Sequence, residues 1–244
     1  MVKRYGDRYK LVFLESKRVP GYEEVLDEWE MFERKHGRKI KGTCTLENNI
    51  ARAKSRIYEI AICNEWSHFM TGTIDARKHD RYDLPGFRKK LNSFIKNQRV
   101  RVPAPDLKYL IIPEQHMDGA WHFHGLFNGI ISEMLTEFGP QVPSNISSKY
   151  RNYHAYSETF GYCSVGEIQN KEAVAAYVTK YITKEMAKTN IELGNNLYYC
   201  SKGLKRAEKI KEGRLQTPPT SWDFENDYVK VKWIDKEDID KYIV

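Results

Sequence analysis

Residues Pro113–Gly125 read PEQHMDGAWHFHG, and the fold and its chemistry are decided in this stretch. His122 and His124 stand two apart on a predicted strand, so both imidazoles point to one face. Met117-Asp118-Gly119 just before them suits a three-residue hairpin loop whose last position is left-handed, a conformation that glycine adopts without penalty. With that loop, His116 faces Ala120, Glu114 faces His122, and Ile112 faces His124. A two-residue Asp118-Gly119 loop would instead set Gln115 opposite His122. In the first register a carboxylate stands beside two neutral imidazoles. That donor set, with positions left open, suits a divalent ion of the Mg, Mn or Co type. His116 shares the face of Glu114 and is a second candidate for the third ligand. The plain alternative is a sheet that happens to carry histidines.

The second informative stretch is Lys171–Lys188, KEAVAAYVTKYITKEMAK, which reads as a helix. At about 100° per residue, Tyr177, Lys180, Tyr181 and Lys184 fall within an arc of about 100°. Val174, Val178 and Ile182 form an adjoining apolar stripe that can dock on a sheet. A tyrosine phenol ordinarily titrates near pH ~10 and is a weak nucleophile at neutral pH. Ammonium groups beside it favour the phenolate and offset charge on a phosphorane-like transition state, while a metal would polarise the phosphate. Tyr177 and Tyr181 are therefore candidate nucleophiles, and Lys180 and Lys184 their candidate helpers.

The remaining elements surround these two. Thr45–Cys63 predicts a helix, with Thr45 as an imperfect cap, and Trp66–Ile74 a strand. Leu84–Asn97 predicts a helix, Leu107–His116 and Trp121–Phe127 two strands, and Tyr162–Ile168 another. Asn128–Phe138 reads as a turn with a short helix, Pro140–Tyr156 as loop, and Tyr22–Lys35 as a helix. Beyond Asn190 the pattern fades, although Asp227–Ile234 alternates like an edge strand. Strands and helices mix without βαβ regularity, which predicts an α+β fold with an antiparallel sheet.

The composition excludes several classes. In 244 residues no apolar run approaches the roughly 20 a spanning helix needs. The start lacks the apolar stretch of a signal peptide, so the expected location is the cytoplasm. Cys44, Cys63, Cys163 and Cys200 are far apart, which argues against a zinc ribbon or a disulfide scaffold. The formal net charge of +7 is unevenly spread. Arg77–Arg101 holds nine basic and two acidic residues, Lys171–Arg214 ten and five, and Leu215–Val244 four and seven. Clustered cations of this kind attract phosphates and release counterions.

Taken in order, these elements resemble the HUH endonucleases, specifically the rolling-circle replication initiators (Rep proteins) of small phages and plasmids. Phe69-Met70-Thr71-Gly72-Thr73 is similar to the family's first motif, His122-Phe123-His124 to its His-hydrophobic-His motif, and Tyr177-Val178-Thr179-Lys180-Tyr181 to its two-tyrosine third motif. Glu114 lies eight residues before His122, where related Rep proteins place an acidic ligand. The resemblance covers roughly residues 45–190. Tyrosine after histidine is the Rep order; conjugative relaxases usually have the reverse.

The resemblance implies an α+β core whose central antiparallel sheet carries the histidine strand in its middle, with flanking helices, on an RRM-like or ferredoxin-like plan. It implies three segments: an N-terminal extension over 1–44, a nuclease core over 45–190, and a C-terminal extension over 191–244 packed on or near the core. It implies a divalent ion, Mg or Mn, on Glu114, His122 and His124. It also implies cleavage of single-stranded DNA at a replication origin through a 5′-phosphotyrosine, with a 3′-hydroxyl freed for a polymerase. No Gly-x4-Gly-Lys-[Ser/Thr] phosphate loop occurs, so a separate helicase is expected. Thr71, Thr73, Arg88, Lys89, Lys90, Arg99 and Arg101 are candidate DNA contacts. Competing readings are a transposase or mobilisation relaxase with the same chemistry, a non-catalytic nucleic-acid binder, and a zinc hydrolase that would leave both tyrosines without a role.

Overall fold

A computed structural model describes residues 1–14, 46–101, 107–185, 197–225 and 229–244, with the backbone alone for 46–51 and 179–185. The fold is α+β with antiparallel sheets. The chain forms two compact units, Met1–Asn49 with Ala207–Val244, and Ile50–Arg206.

The first unit is a five-stranded antiparallel sheet. Its order is Glu208–Lys211, Val2–Tyr5, Arg8–Leu14, Val229–Ile234, Phe224–Glu225. Val2, Leu11, Ile234, Ile239, Tyr242 and Ile243 form its core. The Val229–Ile234 strand was expected at an edge. It lies inside the sheet, hydrogen-bonded to Arg8–Leu14 on one side and to Phe224–Glu225 on the other. Its alternation reports one buried face, which internal and edge strands of an antiparallel sheet share. The helix expected over Tyr22–Lys35 and the cap at Thr45 lie outside the described residues.

The second unit carries the hairpin. Its five-stranded antiparallel sheet has the order Cys163–Glu167, His68–Thr73, Trp121–Asn128, Lys108–Gln115, Tyr199–Cys200. The strand bearing His122 and His124 is thus the central one. The hairpin takes the three-residue loop: Gly119 has φ 84°, the His116 amide donates to the Ala120 carbonyl at 2.8 Å, and the Gly119 amide donates to the His116 carbonyl at 2.9 Å. Glu114 pairs with His122 and Ile112 with His124, while Thr71 pairs with His124 from the other side.

Strand alternation gives the sheet two chemically different faces. Met70, Ile111, Phe123, Phe127 and Val165 face the Leu84–Arg101 helix and pack with its Leu84, Phe87, Leu91 and Ile95. Asp83 caps that helix, accepting the Gly86 amide on its side chain at 2.9 Å. The opposite face presents Glu114, His122 and His124, and the Lys171–Glu185 helix packs against the Lys108–Gln115 strand. Asn170 caps this second helix, its side-chain oxygen accepting the Ala173 amide at 2.8 Å, and Glu172 in the first turn complements the helix dipole. Ala175 and Val178 are its buried residues among those described. The Leu46–Cys63 helix buries Ala53, Ile57, Ile60 and Ala61, the spacing read from the sequence. The 140–156 stretch, expected as loop, holds a helical turn at Ser144–Ser147 and the start of the His154–Thr159 helix.

Gly72 occupies a crowded point of this sheet. A Cβ built there would lie 2.5 Å from the Phe123 ring and 2.8 Å from the Tyr156 hydroxyl. Phe123 is 1% exposed, so its ring has little room to retreat. Gly72→Ala is expected to lower stability by about 1–3 kcal/mol, the range for overpacking a filled core. Urea unfolding checks this; a variant as stable as the parent would show that the ring yields freely.

Candidate active site

Three side chains from the hairpin converge. The Glu114 carboxylate Oε2 lies 2.8 Å from His122 Nε2 and 2.6 Å from His124 Nε2. The ligand atoms of Glu114, His122 and His124 all lie within 4.8 Å of one another. Both histidines are only 7% exposed, which keeps most competing water away. Burial by itself raises the Glu114 carboxyl, but hydrogen bonds and positive charge from His122 and His124 overcome it and hold it down to about 2. Glu114 is therefore an anion throughout the neutral range. Two imidazoles and one carboxylate aimed at a common point fit a divalent ion with open positions, and Glu114, His122 and His124 are the residues that would hold it. The fit extends behind the ligands: Thr71 Oγ1 lies 3.0 Å from His124 Nδ1, so the threonine fixes the ring and leaves Nε2 facing Glu114. The Nδ1 of His122 is buried and has no hydrogen-bond partner in the structure. His116 is exposed and stacks on His122 with ring centroids 3.9 Å apart; it is not part of the converging set.

The Thr71 contact yields a test. Thr71→Val keeps the shape and removes the hydrogen bond. It is expected to weaken Mn²⁺ binding about 10–100-fold, as loss of a supporting bond to a ligating histidine does, with Thr71→Ser restoring it. Isothermal titration reads this directly, and unchanged affinity would remove Thr71 from the site.

A phenol stands beside this set. Phe69, on the neighbouring strand, stacks on His124 with centroids 5.8 Å apart and an interplanar angle of 16°. Tyr177 meets the same Phe69 edge to face, at 5.5 Å and 75°. One aromatic ring thus touches both a triad histidine and the tyrosine. Tyr177 is 44% exposed, so its hydroxyl is accessible to a substrate laid on this face. The side chains of Lys180, Tyr181 and Lys184 lie outside the described residues.

Each residue of Phe69–Thr73 now has a function. Phe69 bridges His124 and Tyr177, Met70 enters the core, Thr71 holds His124, and Gly72 makes room for Phe123. Thr73 Oγ1 donates to the Tyr162 carbonyl at 2.9 Å. Residues 67–186 match the family model of the replication-associated protein ORF2/gene-2-protein type. No curated protein and no solved structure matches the chain. The matched span is just under half of the chain and contains Phe69–Thr73, Glu114, both site histidines and both tyrosines. It supports reading the chain as a replication initiator.

The cations expected to contact DNA are distributed differently. Arg88, Lys89, Lys90, Arg99 and Arg101 belong to the Leu84–Arg101 helix, whose apolar stripe docks on the sheet face turned away from the histidines. Lys90 Nζ lies 3.0 Å from His79 Nδ1, and Arg99 donates to the Leu107 carbonyl at 2.9 Å. Charge counted along the sequence does not tell on which side of a sheet a helix lies. Phe69 was missed as a positioning residue. Its place two residues before Thr71, on the same strand face, was the available signal.

Among the described residues, no helix is long and apolar enough to cross a membrane.

Proposed function

We propose that this chain nicks and rejoins single-stranded DNA at a replication origin through a tyrosine, starting and ending rolling-circle replication. The observation that carries the reading is the Phe69 ring, shared between His124 and Tyr177, which sets a phenol next to a divalent-ion ligand set. An ion held by Glu114, His122 and His124 would act as a Lewis acid toward the scissile phosphate. Tyr177 supplies the nucleophile: its oxygen forms a bond to phosphorus, the bond from phosphorus to the 3′ oxygen breaks, and the phenol proton is lost. The leaving oxygen takes up a proton and becomes the 3′-hydroxyl that a polymerase extends. Lys180 and Lys184, each three residues beyond a tyrosine, neutralise the phosphate. Tyr181, one helical turn on, takes the 5′ end in the second cleavage. A separate helicase opens the duplex ahead of the new strand. The test is incubation with single-stranded origin DNA and Mg²⁺ or Mn²⁺, followed by a denaturing gel. A slower-migrating protein band is expected; cleavage without such a band would contradict the tyrosine chemistry.

A further inference from the structure

We infer that the second unit carries a second nucleic-acid surface, a cleft that holds single-stranded DNA away from the reacting phosphate. The cleft runs between the Leu84–Arg101 helix and the Leu197–Lys202 segment and has a volume of about 550 Å³. Four cations line it, Arg88, Lys96, Arg99 and Lys202, and no acidic residue is among its described lining residues. It also holds three aromatic side chains, Tyr109, Tyr198 and Tyr199. Arg88 already lies over the Tyr199 ring, 4.5 Å from its centroid. Arg99 is anchored on the Leu107 carbonyl and on Ser201 Oγ at 3.3 Å, so it shapes the wall. Lys96 and Lys202 are exposed and have no ion pair among the described residues. Arg88, Asn92 and Lys96 recur every four residues, a stripe about 12 Å long at 1.5 Å per residue.

A groove with one sign of charge and interleaved aromatic rings is the surface that binds single strands without reading their sequence. Phosphates pair with the cations, while bases stack on rings that an Arg has already flattened against. The cleft sits beside the helix that covers the sheet face opposite Glu114, so it is separate from the candidate active site. The choice of DNA as partner rests on the proposed function; the cleft itself does not depend on cleavage.

The experiment is fluorescence anisotropy of labelled (dT)20 with the full chain in EDTA, over a range of salt. Lys96→Glu/Lys202→Glu is expected to bind at least about 10-fold more weakly, with the salt slope smaller by about 1.4, two single-strand phosphate contacts. Lys149→Glu/Lys236→Glu, the same charge change outside the cleft, is the control. A change under about two-fold, or an equal loss in the control, overturns the inference. So does loss of duplex binding with (dT)20 binding retained. Because the assay needs neither metal nor cleavage, failure of the nicking chemistry leaves this result readable.

Discussion

The double variant Tyr177→Phe/Tyr181→Phe is expected to form no covalent protein–DNA band and to cleave at least about a thousand-fold more slowly, the scale on which loss of a nucleophile acts. The change is conservative. Phenylalanine at 177 keeps the ring that meets Phe69, so the helix and the ion site stay as they are. Mn²⁺ affinity should therefore be unchanged, which separates a lost nucleophile from a disturbed site. The single variants divide the two steps. Tyr177→Phe is expected to cost the first cleavage more than Tyr181→Phe does, since Tyr177 stands against the ring stacked on His124. If the double variant still cleaves at the parental rate, the nucleophile is something else.

Removing a ligand has an effect of comparable size by a different route. Glu114→Gln, His122→Ala and His124→Ala are each expected to lower Mn²⁺ affinity by more than about 100-fold, beyond what loss of a supporting hydrogen bond costs. Glu114→Gln is the most informative of the three. It keeps the side chain's size but removes the negative charge that His122 and His124 now share at 2.8 and 2.6 Å. Cleavage should fall with ion affinity and recover in part at higher Mn²⁺. His116→Ala, which removes only the ring stacked on His122, is expected to leave affinity within about ten-fold of the parent. A His116→Ala variant with the larger loss would assign the third ligand to His116 in place of Glu114.

The central hairpin was legible because local rules govern it. A left-handed glycine at 119 sets the loop, the loop sets the register, and the register carries Glu114 to His122. The helix bearing Tyr177 was legible for the same reason: its buried Ala175 and Val178 follow from spacing within one element. What escaped reading depends on pairing across long sequence distances. Val2–Tyr5 joins Glu208–Lys211, and Arg8–Leu14 joins Val229–Ile234, segments about two hundred residues apart. Charged strands such as EKIK carry no local mark of a partner so distant. Tyr199–Cys200 is too short to show a period, although it adds the fifth strand beside Leu110 and Ile111. The basic stretch around Arg88 was visible as charge, but its side of the sheet follows from where Phe87 and Leu91 dock.

The most direct measurement is mass spectrometry of tryptic peptides after reaction with single-stranded origin DNA and nuclease trimming. Trypsin separates the two tyrosines, leaving Tyr177 in Glu172–Lys180 and Tyr181 in Tyr181–Lys184. A nucleotide mass on the first peptide after a single cleavage, and on the second once strand transfer is allowed, is the expected result. DNA cut at the origin with both peptides unmodified would contradict the account at its root, because the chemistry would then not pass through a phenol.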